Sequence, residues 1–306
     1  MITHYANGKI LLTGEYFVLN GALALALPCT LGQLLQYETI DENDNTLSWI
    51  AKDNEGRLWF EAKYTLPDFN IVKTNDESKA KVLQKILLCC AELSENRFLN
   101  RHLSHRITTK LNFPVNWGLG SSSTLIQNLA SLFSINAFAL NTKTFASSGY
   151  DIACATSKNP IFYKIYNDGT AAYSDAHFNP IFCNKLFFVY LNKKQSSLSA
   201  IHSFQNIQKD KKIIIERINE LSTIIASCSD YNLFCDLLNE HEQIISNYLE
   251  KTTVHQQLFS DFDGTIKSLG AWGGDFVLVC GNKEYIENYM KSKGYEIIIP
   301  YRNLIL

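Results

Sequence analysis

The sequence predicts an α+β protein of two packed domains. Three observations carry this: a strand-rich first part, long amphipathic helices in the second half, and short apolar strands near the end. A soft composition shift near 170–184, with no flexible linker, divides the chain into residues 1–175 and 176–306.

In chain order, Lys9-Ile10-Leu11-Leu12 reads as a strand ending at Thr13-Gly14-Glu15. Phe17-Val18-Leu19 meets an Asn20-Gly21 turn, and Ala22 to Leu27 is an apolar strand before Pro28. Residues 31–40 and 46–65 read as strands joined by a polar hairpin turn at residues 41–45. From 79 to 95 the period becomes helical, with Val82, Leu83, Ile86, Leu87 and Cys90 on one face. A strand at 106–111 precedes a helix from Ser122 to about Ala139, whose apolar set includes Leu125, Leu129, Leu132 and Phe133. Strands follow at 161–165 and 186–191, then helices at 197–227 and 231–249. The chain closes with a tight Gly270–Gly274 loop, a strand at 275–280, a helix at 283–293 and a strand at 296–300.

The 306 residues are 46% hydrophobic and 19% charged, enough for a sizeable core. A net charge of -2 gives no argument for nucleic-acid binding. Eight cysteines without Cys-x-x-Cys spacing suggest reduced thiols in a cytoplasmic protein. The start shows no signal-peptide pattern, and apolar stretches such as Gly21 to Cys29 are too short to cross a membrane. The composition is compatible with a monomer or a homodimer.

Four short stretches carry chemistry. In Pro114-Val115-Asn116-Trp117-Gly118-Leu119-Gly120-Ser121-Ser122-Ser123-Thr124, two glycines permit a tight turn just before a helix start. The helix's unpaired N–H groups and its positive dipole end then converge on one point, which suits an anion. An ordinary serine N-cap is equally compatible with that spacing. The stretch is neither a Walker A loop nor a dinucleotide fingerprint. Gly270-Ala271-Trp272-Gly273-Gly274-Asp275 reads as crowded backbone around a ligand, or as a helix C-cap with a turn. Asp151 in Ser148-Gly149-Tyr150-Asp151-Ile152-Ala153 reads as an oriented base or a capping aspartate. Lys9 reads as a partner for Asp151 and for phosphate charge, or as a solvated surface lysine.

Together and in this order, the four stretches resemble the GHMP kinase superfamily of galactokinase, homoserine kinase, mevalonate kinase and phosphomevalonate kinase. Gly8 to Gly21 looks like the family's first motif, and Pro114 to Thr124 matches the second nearly residue for residue. Gly270 to Asp275 matches the third, with Trp272 where a small residue is usual. The string Gly149-Tyr150-Asp151-Ile152-Ala153 looks like that of a subgroup named for it. The resemblance implies a ribosomal protein S5 domain 2-like N-terminal domain and a ferredoxin-like C-terminal domain. It implies an ATP-dependent kinase using Mg²⁺. Pro114, Gly118, Leu119, Gly120, Ser121, Ser122 and Ser123 would wrap the phosphates, with Gly273 and Gly274 shaping the site. Ser122 would help hold the metal. Asp151 would take or orient the acceptor hydroxyl's proton, and Lys9 would offset negative charge.

The contexts of Glu15 and Asp151 look closest to mevalonate and phosphomevalonate kinases, so the implied acceptor is a small isoprenoid-pathway metabolite. Lys193, Lys194, Ser196 and Ser197 resemble a loop that lies near the substrate in that group; alone they also read as a basic surface turn. Glu15, Tyr150 and Ala271 complete the expected substrate set. Mevalonate kinases carry a magnesium-binding glutamate shortly before the aspartate; here no Asp or Glu lies between Ser123 and Asp151. The alternatives are a kinase of a sugar or homoserine, a diphosphomevalonate decarboxylase-like enzyme, and a non-catalytic nucleotide-binding protein.

Overall fold

A computed structural model describes residues 1–40, 44–95, 103–193 and 197–306, with side chains 197–199 excepted. The chain runs through β1 (Ile2–Thr13), a 3-10 turn (Phe17–Asn20), β2 (Ala24–Ile40), β3 (Thr46–Lys52), β4 (Leu58–Thr65) and β5 (Ile71–Thr74). Next come α1 (Glu77–Leu93), β6 (Ser104–Leu111), α2 (Ser121–Phe133), α3 (Ala137–Thr144), α4 (Tyr150–Thr156), β7 (Ile161–Ile165) and β8 (Ala171–Asp175). Then follow β9 (Leu186–Tyr190), α5 (Ser197–Gln205), α6 (Lys212–Ser227), α7 (Tyr231–Leu249), α8 (Val254–Leu258) and β10 (Thr265–Ser268). The chain ends with β11 (Phe276–Cys280), α9 (Lys283–Ser292), β12 (Ile298–Pro300) and α10 (Tyr301–Leu304).

Two compact units emerge, each discontinuous in sequence. One comprises Met1–Gly8, Leu31–Val115 and Leu119–Thr156; the other comprises Lys9–Thr30, Asn116–Gly118 and Ser157–Leu306. No single cut near residue 175 separates them. The reason is β2, a 17-residue strand that continues through Pro28 where the sequence suggests a break. Its first residues pair with β7, which in turn pairs with β8, and this draws residues 157–175 into the second unit.

In the first unit, β6 pairs antiparallel with β2 and parallel with β3, and β4 and β5 follow. The hairpin expected at 41–45 therefore does not pair β2 with β3, because β6 occupies the edge each would offer the other. Residues 41–43 lie outside the described residues. Helix α1 starts at Asp76, whose carboxylate accepts from Lys79 N–H, and buries Ala80, Leu83, Ile86, Leu87 and Cys90. Val82, expected on that face, is exposed. The buried set meets Leu35, Trp49, Phe60, Tyr64 and Ile107 from the sheet, each such side chain contributing roughly 1.5–3 kcal/mol. Helix α2 adds Ile126, Leu129, Leu132 and Phe133. It stops at Phe133 rather than near Ala139, because Ser134 turns left-handed and Asn136 caps a new helix.

In the second unit, β10, β11, β9 and β12 form an antiparallel sheet in that order. Phe187, Val189, Ile266, Val277 and Val279 from its strands pack with Phe259, Ile286 and Met290. A second cluster joins Tyr16, Phe17, Phe204, Ile218, Ile245, Tyr248 and Trp272. The helix expected over 197–227 is two, broken between Gln205 and Lys212. All eight cysteines are free thiols. No helix among the described residues is long and apolar enough to cross a membrane.

Candidate active site

The glycine-serine stretch folds as a loop entering α2. Gly118 and Gly120 take φ of +67° and +93°, values that L side chains resist. Gly120 is the N-cap of α2, so no side chain caps the helix. In contrast, Asp76, Asn136, Asp230 and Asn282 cap α1, α3, α7 and α9 with side-chain oxygens. The first turn of α2 thus presents backbone N–H groups and the positive dipole end without an internal acceptor side chain. Ser123 Oγ donates to the Gly120 carbonyl at 2.8 Å, and Ser122 is exposed. Leu119 is buried and anchors the loop. Gly8 lets β1 approach: a Cβ there would lie 2.9 Å from the Leu119 carbonyl oxygen and 2.8 Å from that of Leu31. Pro114 precedes the turn and is half-buried.

Within the second unit, Asn116–Gly118 is tied down from several sides. Lys9 Nζ donates to the Gly118 carbonyl at 3.0 Å. Tyr190 Oη donates to the Asn116 carbonyl at 3.2 Å. The Trp117 ring lies 5.3 Å from Phe276, edge-on, and 6.0 Å from Tyr190. A Cβ on Gly118 would overlap the Asp275 carboxylate.

The turn at 270–274 puts Gly270 and Gly273 at φ of +62° and +87°. A Cβ on Gly273 would meet open space, so conformation rather than crowding requires that glycine. Gly274 and Ala271 are buried. Trp272 is core: it packs with Tyr16 and Phe204, and its backbone N–H donates to Tyr16 Oη at 3.0 Å.

Tyr150 and Asp151 open α4, and both are half-buried. Asp151 Oδ1 accepts from Ile152 N–H at 3.1 Å and from Ser147 Oγ at 3.4 Å, which orients the carboxylate. Lys193 is exposed just beyond β9. Lys194 and Ser196 lie outside the described residues, as does the side chain of Ser197, whose backbone begins α5.

Glu15, expected at the substrate, is fully buried in a charged cluster that the sequence does not reveal. Its Oε1 pairs with Lys267, and Lys267 also lies 3.4 Å from Glu242 Oε2. Glu242 accepts from Ser268 N–H at 3.1 Å and Ser268 Oγ at 2.6 Å. Gly14 N–H donates to His241 Nε2 at 3.0 Å, so the ring is neutral with its proton on Nδ1. Burial, partly offset by Lys267, pushes the Glu15 carboxyl up to about 7. Burial and then the Lys267 charge hold His241 well below its ordinary value.

These shifts oppose each other. Glu15 contributes stability below the unfolded value of 4.5 that is lost as pH rises toward about 7. His241 contributes stability above 6.5 that is lost as pH falls, because the unfolded ring takes up a proton the native ring refuses. Glu15→Gln removes the first slope. Its urea stability, relative to wild type, is expected to decline more steeply as pH falls from 6.5 to 4.5; parallel curves for the two proteins would contradict this.

The sequence matches no protein-family profile and no curated protein. Solved structures do match. Streptococcus pneumoniae phosphomevalonate kinase, in complex with phosphomevalonate and AMPPNP, superposes with a TM-score of 0.71 and 15% identity, covering 97% of this chain and 98% of that one. Methanococcus jannaschii mevalonate kinase gives 0.66 and 14%, covering 97% and 96%. Lactococcus lactis galactokinase complexed with galactose gives 0.65 and 14%, covering 95% and 89%. The chain therefore has the GHMP kinase fold.

Proposed function

We propose that this protein is an ATP-dependent kinase that phosphorylates a hydroxyl of a small isoprenoid-pathway metabolite, mevalonate or phosphomevalonate. The observation that carries the reading is the start of α2, where two left-handed glycines deliver a helix N-terminus without a side-chain cap. Those N–H groups suit nucleotide phosphates. The fold shared with nucleotide-dependent small-molecule kinases supports it.

In this reading Lys9 contributes positive charge at Gly118, where its ammonium already sits on the carbonyl. Asp151, held by Ile152 N–H and Ser147, accepts the proton of the acceptor hydroxyl. Among the described residues no group of three or more His, Cys, Asp or Glu could hold a metal. This fits Mg²⁺, which keeps several waters and takes its other oxygens from phosphates and one or two protein groups. The exposed Ser122 hydroxyl is the candidate protein oxygen. Bound Mg²⁺ would supply neutralisation of β- and γ-phosphate charge. The exposed ammonium of Lys193 favours an anionic acceptor.

A coupled ADP-release assay with mevalonate, phosphomevalonate, homoserine and galactose tests the reading. Turnover is expected with mevalonate or phosphomevalonate. ATP binding without turnover on any of the four would overturn it.

A further inference from the structure

Asp275 brings a carboxylate to the phosphate loop, and its backbone explains how. The residue sits at φ +53°, its N–H donates to the Lys193 carbonyl at 2.7 Å, and its carbonyl accepts from Leu191 N–H at 2.8 Å. Fixed between the ends of β9 and β11, its side chain packs on Gly118 so closely that a Cβ there would overlap both carboxylate oxygens and their carbon. Lys9 holds the carbonyl of the same residue at 3.0 Å. Gly118 thus carries a cation on one side and an anion on the other. The carboxylate's charge also helps raise the nearby Tyr190 phenol, after burial.

Opposite charges set against the same residue offset each other at longer range. A nucleotide tail bearing several negative charges thus meets at Gly118 a lysine whose charge the Asp275 carboxylate offsets.

We infer that Asp275 makes nucleotide binding conditional on a divalent cation: the loop accepts a metal-nucleotide complex and rejects the bare nucleotide. The inference rests on the kinase reading above. Asp275 acts here as a positioning and selectivity residue and has no part in the chemical step.

Asparagine and glycine both tolerate the left-handed conformation that position 275 requires. Asp275→Asn and Asp275→Gly therefore remove the charge while keeping the turn, and thermal melting verifies folding. The full chain is titrated calorimetrically with ATP, once in excess EDTA and once in excess Mg²⁺. Wild type is expected to bind about 100-fold more weakly in EDTA, and both variants to narrow that ratio to about 10-fold or less. Variants that keep the wild-type ratio would overturn the inference, as would a wild type that binds equally in both buffers. A wild type that binds no nucleotide in either buffer sinks the kinase reading itself.

Discussion

Replacing Asp151 by asparagine is expected to lower kcat by about 10²–10⁴-fold, the range for removing a positioned general base, with ATP affinity close to wild type. The substitution is nearly isosteric. An amide oxygen still accepts from Ile152 N–H and Ser147 Oγ, so α4 keeps its start. What disappears is the group able to take the hydroxyl proton. Single-turnover kinetics separate the chemical step from product release. Unchanged turnover in the variant would remove Asp151 from the mechanism.

The largest stability effect is expected at Lys267. Its ammonium is the cation between Glu15 and Glu242, and all three side chains are buried. Lys267→Met keeps most of the aliphatic stem but leaves two carboxylates without their partner. Breaking a buried ion pair from one side costs about 3–5 kcal/mol, measurable as a fall in urea midpoint at constant m-value. Combining it with Glu15→Gln removes one stranded charge and should recover part of the loss; a purely additive double variant would refute the coupling. The exposed Arg217–Glu240 pair makes the contrast. It has two short contacts of 2.7 and 2.9 Å, yet solvent screening leaves such a pair little net effect on stability.

Periodicity made much of the fold legible. The apolar spacing of α1, the turn chemistry before α2 and the unbroken apolar runs of β9 and β11 all signal their structure locally. Other elements carry no such signal. Strand β8 is exposed throughout and has no alternation to read. Strands β5 and β10 are four residues each, too short for a period. The discontinuous units arise from pairing between β2 and β7, a long-range event that composition along the chain does not record. At the candidate site, the glycines, Ser122, Lys9 and Asp151 stand out because their residue types and order are informative. Lys267, His241 and Glu242 do not, since a buried charge is spelled with the same residue as a solvated one. Asp275 lay within a recognised stretch, but its meeting with Gly118 depends on a left-handed backbone that only the folded chain reveals.

The short β12 has a consequence for self-association. It ends in Pro300, which has no N–H to offer a neighbouring strand, and it spans only three residues. At the other edge of that sheet, every residue of β10 is buried, and α7 and α8 pack against it. Neither margin offers a template for strand addition. This four-stranded sheet is thereby guarded against edge-to-edge pairing, and the open strand edge of the second unit is instead β8, the exposed end strand of the other sheet.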